Sequence, residues 1–272
     1  MISYLKYLKH ITWSLLKNYR RIFSLAVFEY KLTNKEMFLG QLWKLLNPFI
    51  QIGAYWLVFG IGIRQNREID GVQYVVWLTT GYTAWFMINR GITIGANSIY
   101  QKGTLITRSN IPAFIIPVSD ILAVVMDSLW TIGLMFIIFF AYGYSPSIHM
   151  LNLFYYTIYS FALIVSISFI FSALVMLARD FRQIVAIVMR LMFFLSPITW
   201  RPGDNMPSFY KVFHKYNPIA YVINGFRDSM LYNKDFYSDL KNMQVFLGVL
   251  LILYLLGTAC QKKLRNNILD YL

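Results

Sequence analysis

MLNLFYYTIYSFALIVSISFIFSALVMLA, residues 150–178, runs for 29 positions without a charged side chain. As an α-helix such a stretch is roughly 44 Å long at about 1.5 Å per residue, more than a hydrocarbon core of roughly 30 Å requires. The chain is therefore expected to reside in a membrane. Outward from this run, apolar stretches recur at 46–63, 74–99, 113–142, 150–177, 184–199 and 245–260, the last two short. The expected fold is an all-α integral membrane protein with six transmembrane helices. It forms one domain over 1–272: an interfacial segment at 1–45, the membrane part at 46–260 and a tail at 261–272.

Composition agrees, with 58% apolar and 14% charged residues, far from the roughly 45–50% and 25% of soluble domains. Lys and Arg exceed Asp and Glu by 25 to 12, and their positions explain why. Basic residues are retained on the cytoplasmic side of a bilayer. They gather before the first span (Lys6, Lys9, Lys17, Arg20, Arg21, Lys31, Lys35, Lys44), then at Lys102 and Arg108, Arg179 and Arg182, and Lys262, Lys263 and Arg265. On the other side, Arg64 and Arg67 are balanced by Glu68 and Asp70, residues 143–149 carry no Lys or Arg, and 201–243 is mixed. Both termini are expected in the cytoplasm of a multi-pass plasma-membrane protein. The charge sets orientation and attracts anionic lipid; no basic groove interleaved with stacking aromatics points to nucleic acid.

Basic residues interrupt the first 21 positions, so no cleavable signal peptide is read there. Leu5, Leu8, Thr12, Leu15, Leu16 and Tyr19 recur at helical spacing, describing an amphipathic interfacial helix, either a lipid anchor or a docking surface.

Sites of covalent chemistry are not evident. The run nearest a phosphate-binding loop, 103–109, has Arg108 where a lysine is needed and lacks the second glycine. His10, His149 and His214 are scattered, Cys260 is alone, and Asp235 and Asp239 read as solvated charges. No cofactor or metal is expected in this chain. Charged residues inside spans are costly and point to function. Arg90, Asp120 and Arg190 all fall roughly 10–14 Å inside the cytoplasmic boundary. Two readings stand: one charged layer in which Asp120 pairs with an arginine and holds helices together, or a gate that meets an anionic head group. Asp127, one heptad beyond Asp120, is expected to face protein or an aqueous path. Gly91 and Gly95 form a small-xxx-small pair for close helix packing.

Four segments carry a resemblance. FEYKLTNKEMFLGQLWKLLNPF (28–49), NIPAFIIP (110–117), ARDFRQIVAIVMRLMFFLSPITW (178–200) and YNPIAYVINGFRDSMLY (216–232) resemble, in order, permeases of type-2 ATP-binding-cassette exporters of lipid-linked polysaccharides. Within that family, residues 58–86 look most like the wall teichoic acid exporters of Gram-positive bacteria, with O-antigen exporters second. The resemblance implies a flippase permease that pairs with a second copy of itself and two separate ATPase subunits. ATP and Mg would be held by those subunits, and undecaprenyl-diphosphate-linked teichoic acid would move to the outer leaflet.

It also implies roles for residues. Thr104, Leu105, Ile106 and Arg108 would form the ATPase-coupling helix, with Arg179, Asp180 and the N-terminal helix as secondary contacts. Independently of the resemblance, Trp77, Tyr82, Trp85 and Phe86 cluster in the second span; they either belong to an interfacial aromatic belt or, for Tyr82, Trp85 and Phe86, line the substrate path with Arg90, Asp120 and Arg190. Residues 201–243, punctuated by Pro202, Pro207 and Pro218, would supply two short re-entrant helices closing the outer mouth. Ile219, Tyr221, Val222, Phe226, Met230 and Leu231 would form the apolar face there, and Arg227 and Asp228 either staple the gate to a neighbour or form a surface pair.

Overall fold

The computed structural model describes residues 2–271 except 34, 36, 66, 110, 204 and 205, with side chains placed for all of these but 2, 3, 5, 109 and 265–271. The expectations for Leu5, Asn110 and Arg265 and for the tail beyond 264 therefore lie outside the described side chains. Among the described residues the chain forms helices and no strand, and the one extended pairing is the tight turn joining Ile69 to Val72.

Helices α1 (Ile2–Lys17) and α2 (Tyr19–Leu32) make up the amphipathic segment, which divides at Asn18. There the Asn18 amide donates to Ser14 O, 2.8 Å away. Tyr7, Ile11 and Ser14 are buried against the protein while Thr12, Leu16 and Tyr19 remain exposed, so the helix buries a different edge from the expected stripe. Next, α3 (Trp43–Tyr55) continues without a break into a π-helix, Trp56–Ile63. Beyond it lie α4 (Tyr74–Gln101), α5 (Gly103–Ser109), α6 (Ile115–Ala141) and α7 (Asn152–Leu177). The chain closes with α8 (Phe181–Leu195), α9 (Ser208–Tyr216), α10 (Pro218–Met230) and α11 (Leu240–Tyr271).

Among the described residues, four helical runs are long and apolar enough to cross a bilayer: Gly40–Ile63, Ile115–Ala141, Ile148–Leu177 and Leu240–Leu264. The expected second span coincides with α4, whose 28 residues suffice in length but which is more polar, because it is the buried centre of the bundle. It packs on α6, α7, α8 and α10, and its Thr79, Thr80 and Thr83 are buried, bonding back to carbonyls of their own helix. The expected fifth span is α8, only 15 residues long. The last expected span is longer at both ends than 245–260, and Gln261 is no part of a free tail: buried, it donates to Phe169 O and Ser172 Oγ at 2.9 Å.

Close packing at the centre depends on glycine. A Cβ on Gly91 would approach Ile164 Cγ2 of α7 to 2.8 Å, and one on Gly95 would collide with Ser168. The small-residue pair thus brings α4 against α7. At one end of the bundle, Ile99, Ile106, Ile116, Met176 and Leu264 form a common apolar cluster, so the loops carrying the basic residues converge; we term this the basic end. Loops 64–73, 142–151 and 201–239 gather at the opposite end, where Arg201 pairs with Asp70 and Tyr144 Oη accepts from Gln73 N at 3.1 Å.

Candidate functional site

A cleft of about 800 Å³ opens between α3 with its π-helical continuation, α4 and α8. Its wall is aromatic because three helices each direct rings into it. Tyr55 stacks obliquely on Phe193 with centroids 5.0 Å apart, Trp85 meets Phe193 edge-on at 5.7 Å, and Tyr82 lies 6.0 Å from Phe86. Tyr82 Oη donates to Gln51 Oε1 across the cleft. Asn89, Arg90, Thr93 and Arg190 add polar lining, and among the described residues no carboxylate lines the cleft.

Five of the six residues expected on a substrate path, Tyr82, Trp85, Phe86, Arg90 and Arg190, line this cleft; Asp120 does not. Trp77, from the same expected aromatic cluster, is also elsewhere, its face covered by Arg227 at 3.3 Å. Sequence reasoning missed Gln51, Tyr55, Asn89 and Phe193. Gln51 and Asn89 carried a usable signal, being amides within apolar runs. Tyr55 and Phe193 carried none, since rings at span positions are ordinary.

The expected single charged layer is two separate clusters. Asp120 pairs with Lys102 at 2.6 Å, and Lys102 also reaches Glu29 at 2.6 Å, tying the start of α5 to α6 and α2. Neither Arg90 nor Arg190 pairs with Asp120; the expected pairing assumed equal depth means contact, but the residues point from different faces. Arg90 Nη2 instead binds Asp127 Oδ2 at 2.8 Å, and the fully buried Lys44 ammonium lies 2.6 Å from Asp127 Oδ1. Lys44 directs an aligned hydrogen bond to Tyr30 O at 2.9 Å and sits 3.3 Å above the Tyr30 ring. Arg190 bonds back to Ala186 O at 3.3 Å. Charge reversal of Asp120 is therefore expected to be rescued by Lys102→Glu and not by Arg190→Glu, read as recovered thermal stability of the purified protein.

At the basic end, α5 sits on its Ile106, which is buried, while Thr104 and Arg108 are exposed and Leu105 is half-buried. Ile106 thus anchors the helix, and Thr104 and Arg108 form its free face. Arg179 and Arg182 straddle the Tyr100 ring at 5.3 and 5.5 Å, which places the exposed Arg179 and Asp180 beside the α4–α5 junction.

At the other end of the cleft, α8 stops at Ser196 because Pro197 has no N–H to continue it. Six consecutive carbonyls there are all satisfied by protein. Phe194 O accepts from Trp200 Nε1 at 3.0 Å, Leu195 O from Tyr210 Oη at 2.6 Å and Ser196 O from Ile198 N at 2.8 Å. Arg227 donates to Pro197 O at 2.5 Å and Ile198 O at 3.0 Å, and Tyr74 Oη donates to Thr199 O at 2.8 Å. Non-helical backbone at membrane depth persists only when covered in this way.

Two short helices, α9 and α10, do follow. Pro218 opens α10, with Asn217 Oδ1 capping Ile219 N at 2.9 Å. Tyr221 stacks on Phe246 with centroids 4.2 Å apart, and Phe226 is fully buried, so α10 is wedged into the bundle. Arg227 is a staple to the α8 break and not half of a pair with Asp228, which turns to Lys234 at 3.4 Å. Gly81 leaves the room for it: a Cβ there would collide with the guanidinium. Asp235 is also engaged, accepting from the Asn152 amide at 3.0 Å and lying 2.8 Å from His149 Nδ1. The Asn152 and His149 contacts hold its carboxyl below the ordinary range.

A larger groove, about 1090 Å³, lies between α2 and the surface of α6, α7 and α11. Its lining is nearly all apolar, with Arg20 the one charged member; it offers a seat to lipid tails and little to orient a polar cargo. Among the described residues no three His, Cys, Asp or Glu side chains gather as a metal site.

Residues 20–231 match the family model described as ABC-2 type transporter. The chain is 27% identical over 247 residues to an O-antigen export system permease protein RfbA of Klebsiella pneumoniae, covering 89% of this chain and 91% of that protein. It is 26% identical over 179 residues to a protein of the same description from Myxococcus xanthus, covering 66% and 67%.

Proposed function

The chain belongs to the ABC-2 type transporter family, and we propose that it is the membrane subunit of an ATP-driven exporter carrying a lipid-linked polysaccharide across the plasma membrane. The observation that supports this most is the cleft: an aromatic wall beneath which two arginines lie with no lining carboxylate. Aromatic faces let sugar units slide without reading a strict sequence, and arginine suits a phosphate-bearing head group. Two copies of the chain and two separate ATPase subunits, which hold ATP and Mg, make the working unit. All six expected spans cross the bilayer, α4 shielded by its neighbours and α8 completed by the covered break. The basic end faces the cytoplasm.

In this reading the ATPase acts on Thr104, Leu105 and Arg108 of α5, with Ile106 as its seat and Arg179 and Asp180 alongside. Its closure shifts the permease only through different contacts in the two states. Lys102 carries α5 movement to α6 and α2. The outer gate is α9, α10 and the α8 break, with Pro218, Tyr221, Phe226 and Arg227 fixing α10, and Asp228 at its end.

For the cargo, the curated relatives support an O-antigen-type polysaccharide better than teichoic acid. Teichoic acid stays as a second reading because residues 58–86 resemble its exporters. ATP-dependent movement of each undecaprenyl-diphosphate-linked polymer into vesicles containing this chain and its ATPase separates the two. In the same vesicles, alanine at Tyr82, Trp85 and Phe86 together is expected to reduce transport by about tenfold or more, each ring being worth up to about 1 kcal/mol. Unchanged transport by a stable triple variant would remove the cleft from the path.

A further inference from the structure

The placement of Arg90 poses a problem. Arginine and carboxylate form strong bidentate pairs, and a guanidinium held by Asp127 should be a poor ligand for anything else. Lys44 changes this balance. Its ammonium is fully buried, 2.6 Å from the same carboxylate, and it comes from the segment leading into span one and does not line the cleft. One carboxylate thus faces two cations, and the trio carries one net positive charge. Lys44 has no aqueous alternative, whereas the Arg90 side chain is 27% exposed and lines the cleft. The surplus charge therefore appears on the cleft side. Arg90 has five N–H donors, and its ion pair with Asp127 engages Nη2. Arg190, on α8, lines the same cleft, with Asn89 and Thr93 nearby as neutral donors and acceptors.

We propose that Lys44 is a charge-compensating residue that frees Arg90, so that Arg90 and Arg190 together bind the diphosphate group of a lipid-linked cargo at the basic end of the cleft. The proposal rests on the cleft being the cargo path. Lys44 touches no cargo in this scheme; it is a positioning residue, acting through Asp127. Without it the carboxylate would claim Arg90 outright and the cleft would lose the charge that selects a dianionic head group.

The test is equilibrium binding of radiolabelled farnesyl diphosphate to the purified permease–ATPase complex, with farnesol as uncharged competitor. The unaltered complex is expected to bind the diphosphate, and equimolar farnesol to leave it bound. Lys44→Met is expected to weaken binding about tenfold, as much as Arg90→Gln, although it removes no lining residue. Lys44→Met with Asp127→Leu is expected to return to within about threefold of the original, because Arg90 is again unclaimed. Adding Arg90→Gln to that double variant should abolish the recovery. If Lys44→Met binds normally, or if the double variant, itself shown to melt cooperatively, binds no better than Arg90→Gln, the inference is overturned; the double variant decides even if Lys44→Met alone does not fold. No diphosphate binding, with transport still stopped by the Tyr82, Trp85 and Phe86 triple, would sink the anion site and leave the path standing. Neither binding nor transport responding to the cleft would sink both.

Discussion

Arg227→Met is expected to lower stability by about 3–5 kcal/mol and to abolish transport, because it strips a charged donor from the carbonyls of three buried residues. Arg227 Nε and its two terminal nitrogens reach Trp77 O, Pro197 O and Ile198 O at 3.3, 2.5 and 3.0 Å, with the guanidinium plane over Trp77. One flat, five-donor group joins α10, α4 and the unwound end of α8. Lysine, a point donor on a flexible stem, cannot span three acceptors in fixed directions, so Arg227→Lys should recover only part of the loss. Gly81→Val, which never touches the charge, should give a comparable defect by expelling the guanidinium. Thermal unfolding in detergent, paired with transport in vesicles, measures both effects. A Met variant within about 1 kcal/mol of the parent would show that the break is held by other contacts.

Asp127→Asn should be the second severe change, again about 3–5 kcal/mol, because it leaves the fully buried Lys44 ammonium without a counter-charge. The informative comparison is the double replacement Lys44→Met with Asp127→Leu. Exchanging a buried ion pair for apolar groups of similar volume is often neutral, since the desolvation of both ions vanishes with their attraction. The double variant should therefore melt close to the parent, with a coupling energy from the four-variant cycle at least as large as the loss in the Asp127 single variant, about 3 kcal/mol or more. Additive losses would mean that the two residues act independently. Arg90, partly exposed, needs no replacement partner.

These residues also mark where sequence reasoning stopped. Arg90, Asp120, Asp127 and Arg190 stood out as costly charges within spans. Lys44 did not, because in sequence it is one more basic residue in a basic segment, and nothing local distinguishes an orienting lysine from one folded beneath a carboxylate 83 positions later. Equal depth likewise offered Asp120 an arginine partner, Arg90 or Arg190, and neither pairs with it. Depth is a coordinate along one helix; pairing depends on azimuth, which packing sets. The coupling segment shows the same division: its apolar and basic residues marked 103–109 as a surface of interest, yet only the seating of Ile106 beside Ile99 and Leu264 shows which face is free.

Hydropathy and charge bias are sums over contiguous residues. That is why the chain alone determined an all-helical membrane protein, the approximate limits of its helical runs, and which loops share an end. The start of α10 at Pro218 was legible too, since proline acts on its own backbone, whereas hydropathy carries the fifth span through to 199 and the structure ends its helix at Leu195. Only the tertiary structure decided which charges pair, that Arg227 closes the carbonyls of α8, and that Tyr55 and Phe193 join Tyr82, Trp85 and Phe86 around one cleft. Those outcomes depend on how helices are rotated against one another, a property of side-chain volumes meeting across the bundle, as at Gly91 and Gly95, and not of any one segment.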